Sequence, residues 1–151
     1  MTTGKDIARN LKKAYALMHR QTQSLLSQHD MTADQYVLLA LLSIEDGVTQ
    51  QELTQRASSD PNTVRAMLVL LEEKGLVVRK AHVTDRRARR VLITAKGRRK
   101  YTLLAKTLTP LQDALRAPFS EPEAKAFVDA LQRFCGSIQQ WESDQEAHTF
   151  K

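Results

Sequence analysis

The chain has 151 residues, 42% of them hydrophobic, with five glycines, one cysteine and a net charge of +6. A single cysteine excludes an internal disulfide framework and suits a reducing compartment. No apolar run is long enough to span a membrane and Met1–Leu11 has no signal-peptide pattern, so the expectation is a cytoplasmic globular domain, or one subunit of an interlocked dimer.

The first predicted helix runs from Lys5 to Gln28. Ile7, Leu11, Ala14 or Tyr15, Met18, Thr22, Leu25 and Leu26 keep an apolar stripe along it. That length exceeds what a small core needs, so the stripe is expected to bury against something further. Thr32-Ala-Asp-Gln35 is a capping box opening a second helix to about Ile44. Its run from Tyr36 to Ile44 is apolar nearly all round, which predicts burial on every face at the centre of the fold. Asp46-Gly47 turns the chain onward.

Thr49-Gln-Gln-Glu52 is a further capping box, starting a short helix with Leu53 and Ala57 inward. Ala57-Ser58-Ser59 forms a small-residue turn. A helix of about 60–74 follows, capped by Asp60, with Pro61 at its first position and Lys74-Gly75 closing it. Val64, Met67, Leu68 and Leu71 form its inward stripe, which leaves Asn62, Thr63, Arg65 and Ala66 outward. Such a pair can be a helix-turn-helix whose second helix enters the major groove, although any small helical domain contains helix pairs. Leu76–Lys80 and Arg90–Thr94 then read as two strands of a hairpin around a polar tip at 81–89.

The segment Asp85-Arg-Arg-Ala-Arg-Arg-Val-Leu-Ile-Thr-Ala-Lys-Gly97 resembles the wing of the MarR family of transcriptional regulators. The family pattern is Asp-x-Arg, an alternating apolar strand, then Leu-Thr-x-x-Gly. Asp85, Arg87, Thr94 and Gly97 fall on it, with Ile93 in the leucine position, and Leu71–Val77 is similar to the family's recognition-helix ending. The strong match covers about 50 residues. Charge distribution agrees with a nucleic-acid partner. Ten basic residues lie between Arg79 and Lys100 against the single acid Asp85, whereas Phe119 to the end has three basic and six acidic residues. Concentrated cation beside a helix-turn-helix is the footprint of phosphate contact, the bland alternative being a solvated basic face.

Beyond the wing, Thr94 caps a long helix with Tyr101, Leu104, Leu108, Leu111 and Leu115 on one face, and Pro110 is expected to kink or break it near Lys106. Ser120-Glu-Pro-Glu123 caps the last helix, whose stripe is Phe127, Leu131, Phe134, Ile138 and Trp141. Residues after Ser143 are polar and expected to fray.

The fold class expected is mainly α with a small β-hairpin wing: a winged helix-turn-helix plus terminal dimerisation helices. The winged lobe would span 32–97, and the dimerisation lobe 1–31 with 98–151. A homodimer held by Ile7 and Leu11 with Phe127, Leu131, Phe134, Ile138 and Trp141 is the economical cover for both stripes, and the resemblance implies it. Its double-stranded DNA operator would be pseudo-palindromic. Base-edge contact is assigned to Asn62, Thr63, Arg65 and Ala66, with Val69 against a thymine methyl or packed on a neighbour. Thr49, Ser58 and Ser59 would hold phosphates, as would Arg89 and Arg90, and Arg86 is a further DNA-binding residue of the wing at 81–90. Arg87 would enter the minor groove, and Asp85 would orient a neighbouring arginine.

The resemblance also implies a cleft for a small phenolic or anionic ligand. Tyr15, Met18, His19, Tyr36, Leu39 and Tyr101 are positions that could line it, each explicable as core or solvated surface instead. His19, His29, His82 and His148 are dispersed, so no metal site is expected; neither is a cofactor, nor an enzymatic centre. Cys135 reads as a small buried hydrophobe. Two rival readings stand beside the DNA-binding regulator: a redox switch through Cys135, and a winged-helix module docking an acidic protein through its basic wing.

Overall fold

The computed structural model describes residues 1–81, 84–85 and 89–150, and the chain divides into two compact units, Met1–Leu111 and Gln112–Lys151. Among the described residues there are six helices and three strands: α1 (Gly4–Ser27), α2 (Ala33–Ile44), β1 (Val48–Thr49), α3 (Gln50–Arg56), α4 (Pro61–Glu73), β2 (Val77–Ala81), β3 (Arg89–Ile93), α5 (Ala95–Arg116) and α6 (Glu121–Thr149).

Helix starts follow side-chain chemistry. Thr32 and Gln35 cap α2 reciprocally, each accepting the other's backbone N–H at 3.1 Å. The start of α1 lies one residue before the expected Lys5, because Thr3 and Asp6 form a box of their own. Aspartate at the third position falls outside the usual Glu/Gln signature, which is why the sequence pattern passes over it.

The core of the first unit gathers one face from each element. Leu26 of α1, Leu38, Leu39 and Leu42 of α2, Leu53 of α3, and Val64, Leu68 and Leu71 of α4 are fully buried, with Val77, Val91 and Leu104. Each such leucine contributes about 2 kcal/mol of transfer free energy. Helix α2 packs against α1, α3, α4 and β3, the central position expected. It is not covered on every face, however: Val37 and Ile44 are exposed on the isolated chain.

The sheet has order β1-β3-β2, all antiparallel, with Val48 opposite Val91 and Arg79 also opposite Val91 from the other side. The hairpin strands lie one residue from their expected limits. Strand β1 is not anticipated by the sequence, since two residues carry no periodicity. Behind it, Asp46 ties three elements: Oδ1 accepts the N–H of Gly47 and of Ile93 at 2.9 Å, and Oδ2 accepts from Arg98 of α5 at 3.1 Å.

Thr94 and Gly97, the end of the wing signature, seat α5 on the sheet. The Thr94 hydroxyl donates to the Gly75 carbonyl at 2.7 Å and accepts from Gly97 N–H at 2.9 Å. A Cβ on Gly97 would lie 2.1 Å from the Leu76 carbonyl oxygen, so only glycine allows this approach.

Pro110 does not break α5, which continues to Arg116. Pro110 and Lys106 both lie on the exposed side, so the carbonyl left without a partner faces water. In the second unit Ser120 and Glu123 cap α6, and Phe119 stacks on Phe127 at 5.4 Å. Helix α6 persists to Thr149 rather than fraying after Ser143, with side chains of Gln140, Ser143, His148 and Thr149 bonded one turn away. None of its residues is buried; Phe127, Phe134, Ile138 and Trp141 are exposed.

Candidate nucleic-acid interface

Helices α3 and α4 are joined by a turn built for close approach. Thr49 and Glu52 cap α3 reciprocally at 3.1 and 3.2 Å. Ser58 takes φ +50, a left-handed conformation uncommon for a side-chain-bearing residue. Asp60 then accepts the Thr63 N–H at 2.9 Å, and the Thr63 hydroxyl donates to the same carboxylate at 2.5 Å. Those two bonds hold the Asp60 carboxyl below its usual range, the hydroxyl contributing most. The Thr63 hydroxyl proton serves the cap, and Asn62, Thr63, Arg65, Ala66 and Val69 all stand exposed opposite the buried stripe of α4.

Between α4 and the sheet lies a recess of roughly 540 Å³, lined by Thr49, Gln50, Gln51, Arg65, Glu72, Arg79 and Arg89. Of these, Thr49, Arg65 and Arg89 are site residues expected from sequence. Gln50, Gln51, Glu72 and Arg79 are not. Glu72 accepts from the Arg79 backbone N–H at 3.1 Å and from its guanidinium at 3.4 Å to each oxygen. The Arg79 hydrogen bond is the main reason its carboxyl sits below the ordinary value, and the charge of Arg89 adds to it. No periodicity signals this pair, because it joins a helix end to a strand across a turn.

The basic stretch divides into two populations. Arg79 pairs with Glu72, Arg90 Nε donates to the Gly47 carbonyl at 2.9 Å, and Arg98 pairs with Asp46. Lys96 donates to the Lys74 carbonyl at 2.9 Å and Lys100 to the His29 carbonyl at 2.8 Å. These cations brace the fold, three of them at helix-end or turn carbonyls where positive charge is favourable. Lys80, Arg89 and Arg99 are exposed. Arg86 and Arg87, expected at the phosphate backbone and minor groove, lie outside the described residues; Asp85 is described, at the edge of the wing tip.

The residues expected at a ligand cleft fall into separate groups. Tyr15 stacks on His19 at 5.3 Å beside a cleft of roughly 670 Å³ along α1, whose lining includes Lys12, Arg20 and Gln23. Tyr36 stacks on Tyr101 at 5.8 Å, and burial together with the Tyr101 hydroxyl raises the Tyr36 phenol. Met18 is exposed on α1, whereas Leu39 is entirely buried in the core. Cys135 is exposed, contrary to the burial expected, because the isolated chain fully buries no residue of α6. Among the described residues no group of three metal-ligating side chains occurs, and no helix is long and apolar enough to cross a membrane.

A capped helix pair followed by the β2–β3 hairpin, with β1 before the pair closing a three-strand sheet, defines a winged helix-turn-helix. The MarR family profile matches residues 29–88. The transcriptional regulator HosA of Escherichia coli O111:H- is 31% identical over 126 residues, covering 75% of this chain and 90% of that protein. The HTH-type transcriptional regulator TtmR of Methylorubrum extorquens is 34% identical over 104 residues, 64% of this chain; the match spans about half, 53%, of that relative's length. The fold is similar to that of the S. aureus MepR–DNA complex, at TM-score 0.75 and 24% identity over 91% of this chain and 99% of the other. CouR of Rhodococcus jostii RHA1 bound to p-coumaroyl-CoA superposes at TM-score 0.78 and 23% identity, over 85% and 91%. The chain belongs to the MarR family of transcriptional regulators, proteins that bind DNA and are not enzymes.

Proposed function

We propose that the protein is a homodimeric regulator that reads a pseudo-palindromic operator, α4 entering the major groove and the wing at 81–90 the minor groove. The observation that carries this reading is the recess between α4 and the sheet. A duplex that offers its major groove to α4 and its minor groove to the wing would pass the intervening sugar-phosphate strand over that recess, where Thr49 and Arg89 would meet it. Asn62, Arg65, Ala66 and Val69 would face base edges. Ser58 and Ser59 sit at the turn before α4 and would meet the flanking phosphate, with Arg86 and Arg87 supplying the wing tip. MepR, of similar fold, is solved as a DNA complex.

Assembly into a dimer is supported by two uncovered apolar faces: Ile7, Leu17 and Met18 on α1, and Phe127, Phe134, Ile138 and Trp141 on α6. Burying both against a second copy removes them from water, and two-fold symmetry then matches two half-sites. For ligand control the cleft along α1 is the favoured place. Tyr15 and His19 provide a stacked aromatic wall, and Lys12 and Arg20 provide cations suited to an anionic or phenolic compound. CouR is a family fold with p-coumaroyl-CoA bound.

The test is a salt titration of binding to a duplex selected from a random pool, against a scrambled duplex. Tight selected binding with a steep salt slope is expected. Wild-type protein that binds no duplex at low salt overturns the reading.

A further inference from the structure

Glu72 contradicts two local rules at once. It stands in the last turn of α4, where the helix dipole favours cations, and it lines a recess otherwise furnished with Arg65, Arg79 and Arg89. Resting on the DNA-binding reading above, we propose that Glu72 is a selectivity residue: it holds Arg79 as an internal ion pair, so that a phosphate must displace a carboxylate to engage that arginine.

The geometry supports a held, exchangeable pair. The guanidinium presents Nε to one carboxylate oxygen and Nη2 to the other, both at 3.4 Å. Strong charge-assisted bonds run nearer 2.7–2.9 Å, so a well-placed phosphate competes on favourable terms. Depth decides which duplexes achieve this. The Arg79 side chain is 19% exposed and that of Glu72 40%, so an anion arriving from solvent meets the carboxylate before the guanidinium. Arg89, exposed nearby, feels the Glu72 charge but is not hydrogen-bonded to it, so a phosphate reaches it without displacing the carboxylate. A loosely bound duplex would thus engage Arg89 but not Arg79, and only one seated on α4 would bring a phosphate deep enough to release Arg79.

Glu72 has a second role that a test must preserve. Strand β2 is an edge strand, and the Glu72 carboxylate satisfies the outward N–H of Arg79 at 3.1 Å. Glu72→Gln keeps a carbonyl oxygen for that N–H while removing the charge. Binding of this variant, Arg79→Ala and the double variant should be compared with wild type on the selected and scrambled duplexes at 50–200 mM salt, with thermal melting alongside. In Glu72→Gln, affinity for the scrambled duplex should rise, and its log–log salt slope should steepen by about 0.9, roughly a 3-fold greater loss across that salt range. The selected duplex should gain less, so discrimination narrows, and the gain should vanish in the double variant. A gain that persists without Arg79 would mean simple removal of negative charge. Equal weakening on both duplexes would mean a structural brace, and unchanged binding would mean no role; each of these three overturns the proposal while leaving DNA binding intact. Failure of the wild type on any duplex would instead remove the DNA-binding reading beneath it.

Discussion

Arg89 and Arg90 are adjacent in sequence and should fail in different ways. Arg89 lines the recess and is exposed, whereas Arg90 donates to the Gly47 carbonyl at 2.9 Å and is half-buried on the other face of β3. Arg89→Ala should therefore remove one phosphate contact without touching the fold. Each contact contributes about 0.9 to the salt slope, so between 50 and 200 mM salt the variant should lose roughly 3-fold less affinity than wild type, on selected and scrambled duplexes alike. Arg90→Ala removes a charge-assisted bond at the turn between α2 and β1, worth about 1.5–3 kcal/mol, and should lower the melting temperature first. Its effect on DNA should follow from loss of folded protein, with the slope per folded molecule largely kept. Fluorescence anisotropy across the salt range, paired with thermal melting, separates the two. An unchanged slope for Arg89→Ala, or a lowered slope with unaltered melting for Arg90→Ala, would refute the assignment.

Gly97→Ala should destabilise the first unit by at least about 1–3 kcal/mol in urea unfolding, since the new methyl meets the Leu76 carbonyl oxygen at 2.1 Å. Asp46→Ala leaves the Ile93 N–H without its acceptor and unpairs Arg98, and should cost about 1–3 kcal/mol by the same measurement. Phe134→Asp with Ile138→Asp places charge on the α6 face proposed to meet a second copy, and light scattering at micromolar concentration should report monomer or aggregate in place of dimer. The carboxyls of Asp6, Asp60, Glu72 and Glu123 are all held below their ordinary values by hydrogen bonds, so the stability they lend is full above the unfolded pKa. It is lost as pH falls through the lower folded values; melting temperature should hold from pH 7 to about 5 and drop below about 4.

Local chemistry was legible from residue order alone. Capping boxes at Thr32, Thr49 and Ser120, the Asp60-Pro61 start of α4 and the Gly75 close all depend on neighbours within one helical turn, and each occurs as expected. The Thr94-x-x-Gly97 signature likewise marks the end of the wing, although only the structure gives its reason, the contact with Leu76. Boundaries failed where the deciding interaction was short or unusual: Asp6 in the first cap, the two residues of β1, and a proline whose lost bond falls on a wet face.

The use of each charge was decided by tertiary structure. Arg79, Arg90, Lys96, Arg98 and Lys100 read as one basic run with Arg89, yet the fold brings them to Glu72, Gly47, Lys74, Asp46 and His29. Four of these five partners lie more than twenty residues away in the chain. The same holds for exposure: apolar patterning marks α2 all round and a stripe on α6 but not whether the isolated chain covers them, and so Val37 and Cys135 are exposed where burial was expected. Helix and turn formation answer to groups a few residues apart. A cation's partner and a stripe's cover are chosen by which distant surfaces the packed core brings within bonding distance, and that is a property of the folded chain.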